Sequence, residues 1–164
     1  MNTSGNVSVT VAPAPVNLTP QVFHAWGRQY FTCFEKLGIP AEYSPVPYFL
    51  LCRAIELAIK AMHLQVDPQK DVKNLFKHNL EKSYRALPPH FKTLNAVETQ
   101  VLIAVGAMYR AKEFEYFSME QLSGDAATLP NLAVLECAAR RLLVLTPNHG
   151  LHNSSCERMV VIGC

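Results

Sequence analysis

The sequence has few charged residues, few glycines and no long uninterrupted hydrophobic run. Charged residues make up 17% of its 164 residues and hydrophobic ones 49%, which predicts that several helices are buried on more than one side. The seven glycines are isolated, which excludes a glycine-rich phosphate loop. The longest apolar stretch, 46–64, is interrupted by four polar side chains, and it predicts a buried helix and not a membrane span.

The N-terminus and the cysteines lack the features of a secreted protein. No basic segment followed by an apolar one opens the chain. The five cysteines are odd in number and widely scattered, so we expect reduced thiols and a cytoplasmic location. His149, His152 and Cys156 are metal-ligand types, but an obvious fourth ligand is missing. We therefore predict no metal and no other cofactor.

Composition and the helix-start and helix-stop residues divide the chain into three parts. Residues 1–18 are rich in Ser, Thr, Asn, Val and Pro, which predicts a flexible leader. Residues 19–146 carry the helical patterns, and residues 147–164 are expected to form an irregular tail. The length suits a single domain with its own core.

Periodic apolar residues and capping signals predict an all-α fold, an antiparallel bundle of four to five helices with short connections. The predicted helices span about 19–37, 46–63, 70–87, 95–115 and 129–145. The third has two alternatives. It is one helix over 70–87, or a helix that begins only at Asn79, whose side chain can cap it.

Four polar residues form a stripe along the second predicted helix. Arg53, Glu56, Lys60 and His63 follow one another at spacings of three, four and three, which places them on one face. One interpretation is a line of charges pointing into a groove, where Glu56 orients a histidine or a ligand. The other is the solvent-facing line of a helix that is packed from three sides.

A basic segment follows this helix. The net charge of +2 does not indicate nucleic acid by itself, but residues 66–92 carry six Lys and Arg against three Asp and Glu. Such a segment could contact phosphate or form a solvated helix face.

Within this segment, His78 lies beside Lys77 and Asn79, five residues after Lys73. A histidine can move protons in phosphodiester cleavage while a cation stabilises the developing charge, without a metal. The alternative is an exposed structural histidine.

Two segments together resemble the HEPN family of small helical proteins linked to RNA and nucleotides. Residues 48–64 read YFLLCRAIELAIKAMHL, similar to a core helix in which an apolar run leads into Ile-Glu-Leu-x-Leu-Lys-Ala. Residues 77–80 read Lys-His-Asn-Leu, where the family commonly has Gly-His-Asp-Leu. The two signatures cover about a quarter of the chain.

This chain departs from the family pattern at three positions. Lys77 stands where glycine is usual, and Asn79 stands where aspartate is usual, although asparagine can still cap a helix. Family members that cleave RNA carry an arginine and, after four intervening residues, a histidine. Here Lys73 takes the arginine position before His78. Lysine supplies the charge without the planar two-pronged contact to phosphate.

The resemblance implies a compact helical domain, often a homodimer with residues 77–79 near the two-fold axis. It implies RNA or a nucleotide as ligand, and an antitoxin or a nucleotidyltransferase as a further partner, because such proteins occur in toxin–antitoxin pairs, defence and RNA processing. Two functions follow as hypotheses, a metal-independent endoribonuclease and a non-catalytic helical binding or scaffolding domain. For the first, the catalytic candidates are His78, Lys73 and Glu56, and the phosphate-binding candidates are Lys60, Lys77, Arg53 and Asn79.

Overall fold

A computed structural model of the chain describes residues 19–38, 44–68, 70–115 and 129–145. They form six α-helices and one 3₁₀ turn, and no strand occurs among them. The helices are α1 (Pro20–Leu37), α2 (Val46–Val66), α3 (Val72–Phe76), α4 (Leu80–Arg85), α5 (Ala96–Arg110) and α6 (Leu132–Val144), and the turn is Pro89–Phe91. The all-α prediction is confirmed. The predicted leader, the tail and the three possible metal ligands within that tail lie outside the described residues.

Local sequence signals set several helix ends. The Thr19 side chain accepts a hydrogen bond from a first-turn amide of α1, and Pro20 is the first helical residue. Gly38 ends the helix with a φ of 71°, a left-handed conformation that glycine adopts without strain. Asn95 and Glu98 form both halves of a capping box at the start of α5. These predicted caps are confirmed.

The segment with two alternative predictions folds as two short helices, α3 and α4. Lys77 has a φ of 48°, in the left-handed region, so the chain cannot continue α3 through this residue. The Asn79 side chain then accepts a hydrogen bond from the backbone N–H of Lys82 at 2.9 Å and starts α4. The single helix over 70–87 is therefore wrong, and the cap at Asn79 is confirmed.

Helix α2 is the central element and contacts each of the other five helices. Gly27 brings α1 close to it, because a Cβ at this position would lie only 3.1 Å from the carbonyl oxygen of Ala54. The fully buried large apolar side chains come from α2, α4, α5 and α6. They are Leu51, Ile55, Ile59, Met62, Leu80, Leu102, Val105, Leu135 and Leu142. Burial of each contributes roughly 1.5–3 kcal/mol to folding.

None of the described helices combines the length and the apolar character needed to cross a bilayer.

Candidate functional site

The polar stripe of α2 points into the protein. Glu56, Lys60 and His63 have relative exposures of 2%, 8% and 1%, and only Arg53, at the edge, keeps 30% of its side chain exposed. Residues of α3, α4, α5 and the loop before α4 contact these side chains. The interpretation of the stripe as the solvent-facing line of α2 is wrong. Three of its four side chains are buried and do not line an open groove, but the contact of Glu56 with His78 agrees with the alternative interpretation, in which Glu56 orients a histidine.

The Glu56 carboxylate accepts bonds from four side chains. Its Oε1 lies 2.5 Å from Nζ of Lys60. Its Oε2 lies 2.8 Å from Nη1 of Arg53, 2.7 Å from the hydroxyl of Tyr109 and 3.3 Å from Nδ1 of His78. Lys60 and Arg53 are one turn away on the same helix, whereas Tyr109 comes from α5 and His78 from the loop between α3 and α4. One carboxylate therefore joins three parts of the fold.

The electrostatics of this cluster keep Glu56 ionised and Tyr109 protonated. Burial alone would raise the pKa of Glu56, but Lys60, Tyr109 and Arg53 outweigh it and lower that pKa below its usual value. Burial, together with the neighbouring carboxylate, raises the pKa of the Tyr109 hydroxyl far above its usual value. At neutral pH the hydroxyl therefore donates a hydrogen bond to an ionised carboxylate.

His78 is held by Glu56 and remains accessible. Half of its side chain is exposed, 52%, and its ring stands perpendicular to the ring of Tyr109 at 5.7 Å between centroids. Because an ionised carboxylate can only accept, the Nδ1 atom carries the proton in the bond to Glu56. The neutral imidazole then has its lone pair on Nε2, and a histidine oriented in this way can act as a general base.

The loop that carries His78 is fixed on both sides. Lys77, directly before it, takes the left-handed conformation that ends α3, and Asn79, directly after it, caps α4. Both Lys77 and His78 are exposed. An exposed cation therefore directly precedes the exposed histidine in the chain.

His63 forms a second polar contact deeper in the protein. Its Nε2 lies 2.9 Å from the carbonyl oxygen of Ser83, its Nδ1 lies 3.4 Å from Nζ of Lys70, and its ring stacks on Phe76 at 4.5 Å. Burial, reinforced by Lys70 and opposed by the Ser83 carbonyl, lowers the pKa of His63. The neutral ring donates from Nε2 and accepts at Nδ1, so it ties α2 to α4 and to the segment before α3.

The structure brings together some of the predicted site residues and separates others. Arg53 and His78 bind the same carboxylate oxygen of Glu56, and Lys77 directly precedes His78 in the chain. Lys60 was predicted to bind phosphate, but its ammonium pairs with Glu56 and only 10% of its side chain is exposed. The side-chain oxygen of Asn79 is engaged in capping α4.

Lys73 lies in α3, and the end of that helix separates it from His78. Its side chain lies outside the described part of the structure. Lys73 and His78 can lie on the same side only if the helix breaks near Lys77. The backbone does break there, as the alternative prediction expects.

Sequence reasoning missed Tyr109. It lies 53 positions after Glu56, and the available signal was a hydroxyl at the end of the apolar run 101–109. Among the described residues no group of three His, Cys, Asp or Glu side chains is placed to hold a metal ion.

Comparisons of the chain with protein-family models, with curated proteins and with solved structures gave no match. Membership of the HEPN family therefore stays a prediction that rests on residues 48–64 and 77–80.

Proposed function

We propose that this chain is an RNA-directed protein of HEPN type that cleaves RNA without a metal, with His78 as its proton-transfer group. The observation that supports this most is the bond between the buried, ionised carboxylate of Glu56 and the half-exposed imidazole of His78. A carboxylate that fixes the tautomer and orientation of a histidine is a recurrent arrangement in acid–base catalysis.

The reaction uses the ribose of the substrate as nucleophile. Nε2 of His78 takes the proton of a 2′-hydroxyl, the 2′-oxygen forms a bond to phosphorus, and the bond from phosphorus to the 5′-oxygen breaks. The leaving 5′-oxygen takes up a proton, which gives a 2′,3′-cyclic phosphate and a 5′-hydroxyl end. Lys77 and the exposed part of Arg53 offset the charge that develops on the phosphate oxygens.

A homodimer would complete this chemistry. The HEPN resemblance implies a two-fold axis near the loop at 77–79, so that a second copy of the chain supplies a second imidazole as the acid for the leaving oxygen. We expect the protein in the cytoplasm, with an antitoxin or a nucleotidyltransferase as its further partner.

The test is incubation of the full chain with single-stranded RNA in EDTA, beside DNA of the same sequence. The proposal expects cleavage of RNA only, with cyclic phosphate ends, and loss of that cleavage in His78→Ala. Unchanged cleavage in His78→Ala would remove this residue from the mechanism. Salt-sensitive binding of RNA without any cleavage would leave an RNA-binding protein and overturn the catalytic part.

The second candidate is a non-catalytic helical binding or scaffolding domain that acts through homodimerisation. It is favoured by the closure of the Glu56 network, because Lys60, Arg53 and Tyr109 satisfy the carboxylate without any ligand. It predicts a dimer in sedimentation equilibrium that neither binds nor cleaves RNA. Such a result would replace the first candidate with the second.

A further inference from the structure

An open pocket adjoins the candidate site at Arg53. It has a volume of about 360 Å³ and is lined by Trp26, Gln29, Tyr30, Cys33, Arg53 and Leu57. The first four come from α1 and the last two from α2. The volume falls within the range of small-molecule pockets, roughly 300–1,000 Å³.

The lining offers the groups that recognise a planar heteroaromatic ring. Trp26 is a large hydrophobic side chain with substantial exposure, 37%, and Phe23 supports it in an edge-on contact at 5.9 Å between ring centroids. Tyr30 adds a second aromatic ring and buried Leu57 an apolar surface. Gln29 supplies one amide donor and one amide acceptor for the edge of such a ring.

Arg53 connects this pocket to the candidate site. Its guanidinium lies 5.9 Å from the ring centroid of Tyr30, while its Nη1 binds the same Glu56 oxygen as Nδ1 of His78. One side chain therefore lines the pocket and belongs to the network that orients the histidine. A ligand that fills the pocket and carries negative charge towards Arg53 would also approach His78.

We propose that this pocket binds one unpaired base of a single-stranded RNA whose adjoining phosphate contacts Arg53 beside His78. This inference rests on the proposed function and assigns it a base-binding subsite. Stacking of a base between or upon aromatic rings, with a nearby cation for the backbone, is how single-stranded nucleic acids are held without pairing. A cationic partner would be repelled by Arg53.

Trp26 makes the proposal directly measurable, because it is the one tryptophan of the chain. Titration of the full chain with a single-stranded RNA should quench its fluorescence, and an abasic strand of the same length should not. In parallel, fluorescence anisotropy of a labelled strand gives the affinity. Trp26→Leu should weaken binding of the normal strand by about 5- to 150-fold and leave binding of the abasic strand unchanged.

Three further variants complete the design. Gln29→Ala keeps the tryptophan and should weaken the quenching titration. Phe91→Leu, an aromatic-to-leucine change in the 3₁₀ turn away from the pocket, should bind like the wild type. Tyr30→Leu should weaken binding of the normal strand in the anisotropy measurement, as Trp26→Leu does. Circular dichroism melting confirms that each variant folds, and if Trp26→Leu does not, the Gln29→Ala titration and the wild-type quenching decide.

The outcomes separate the subsite from the function on which it rests. If RNA binds without changing the Trp26 emission, and Trp26→Leu binds equally well, the pocket proposal is overturned while the RNA-directed function stands. Equal quenching by the abasic strand also overturns it, since a base is then not the group that is bound. If no strand binds in the anisotropy measurement, the proposed function itself has failed, and the subsite fails with it.

Discussion

At the scale of single residues, Glu56 is a buried anion whose two oxygens are shared among four donors. Removing a carboxylate from water is costly, and the cost is offset only when partners and hydrogen bonds are well placed. Lys60 and Arg53 supply two positive charges for this one negative charge. Loss of the anion would therefore leave Lys60 buried and without a counter-charge.

We expect Glu56→Gln to lower the free energy of unfolding by roughly 3–5 kcal/mol, the usual effect of removing one partner of a buried ion pair. The measurement is urea denaturation followed by circular dichroism at neutral pH. Glu81→Gln is the matched control, because Glu81 pairs with Arg85 on the surface of α4 and such pairs contribute about 1 kcal/mol or less.

The same comparison has a defined pH dependence. The pKa of Glu56 is lowered in the folded protein, so its contribution is complete above its ordinary pKa of 4.5 and is lost as the pH falls through the folded value. The difference in the free energy of unfolding between wild type and Glu56→Gln should therefore become smaller in acid. A difference that stays constant below pH 4.5 would contradict the ionised, buried carboxylate.

His63 gives a second pH dependence of the free energy of unfolding, which begins near neutral pH. Its pKa is lowered from the ordinary 6.5 because the buried ring lies beside Lys70, so below that pH the unfolded chain binds a proton that the folded chain does not. Stability should fall as the pH drops from about 7.5 to 5.5. Urea denaturation at each pH should show this fall in stability in the wild type and in His90→Ala. The fall due to His63 should be absent in His63→Gln.

At the scale of elements, the break between α3 and α4 positions His78. The left-handed Lys77 and the capping Asn79 enclose the histidine on either side. Without the cap, the first turn of α4 has an unsatisfied amide, and the direction in which the loop leaves α3 is no longer fixed.

We expect Asn79→Ala to cost about 0.5–2 kcal/mol of stability and also to reduce RNA cleavage, because the cap holds the loop that carries His78. Asn131→Ala is the matched control. Asn131 caps α6 in the same way, so its loss should cost similar stability and leave cleavage unchanged. Stability from thermal unfolding and rates from the RNA assay are compared; equal effects of both variants on cleavage would deny the loop its special role.

The sequence predicted the elements whose signals are local. Thr19 with Pro20, Gly38, and Asn95 with Glu98 each act within one helical turn, so their positions could be read directly. The α3–α4 break remained open because it depends on a lysine in a left-handed conformation. Such a conformation is uncommon for any residue other than glycine and leaves no sign in the composition.

At the scale of the whole molecule, burial of the α2 stripe could not be predicted. Periodicity places Arg53, Glu56, Lys60 and His63 on one face, but whether that face meets solvent depends on α3, α4 and α5, which come later in the chain. Tyr109 shows the same limit, because its contact with Glu56 joins residues that are 53 positions apart. The local pattern predicted that the four residues share one face of α2. Whether that face is buried was decided by packing against elements that are distant in the sequence.

The distribution of charge over the molecule gives a prediction for RNA affinity. Lys77 is exposed beside His78, so Lys77→Gln should weaken RNA binding and reduce the slope of log affinity against log salt by about 1. Lys36→Gln, an exposed lysine in the last turn of α1, is the control and should leave the slope as in the wild type. Anisotropy titrations over a range of salt concentrations measure both. Equal slopes for Lys77→Gln and wild type would place the phosphate elsewhere.

The central claim is that His78, oriented by Glu56, transfers a proton during RNA cleavage. The most direct measurement is the single-turnover rate of the full chain on one single-stranded RNA in EDTA, for wild type, His78→Ala and His90→Ala, the last being an exposed histidine in the 3₁₀ turn. The account predicts that His78→Ala loses roughly 10²- to 10⁴-fold in rate while His90→Ala keeps the wild-type rate. A His78→Ala variant that cleaves as fast as the wild type would contradict it.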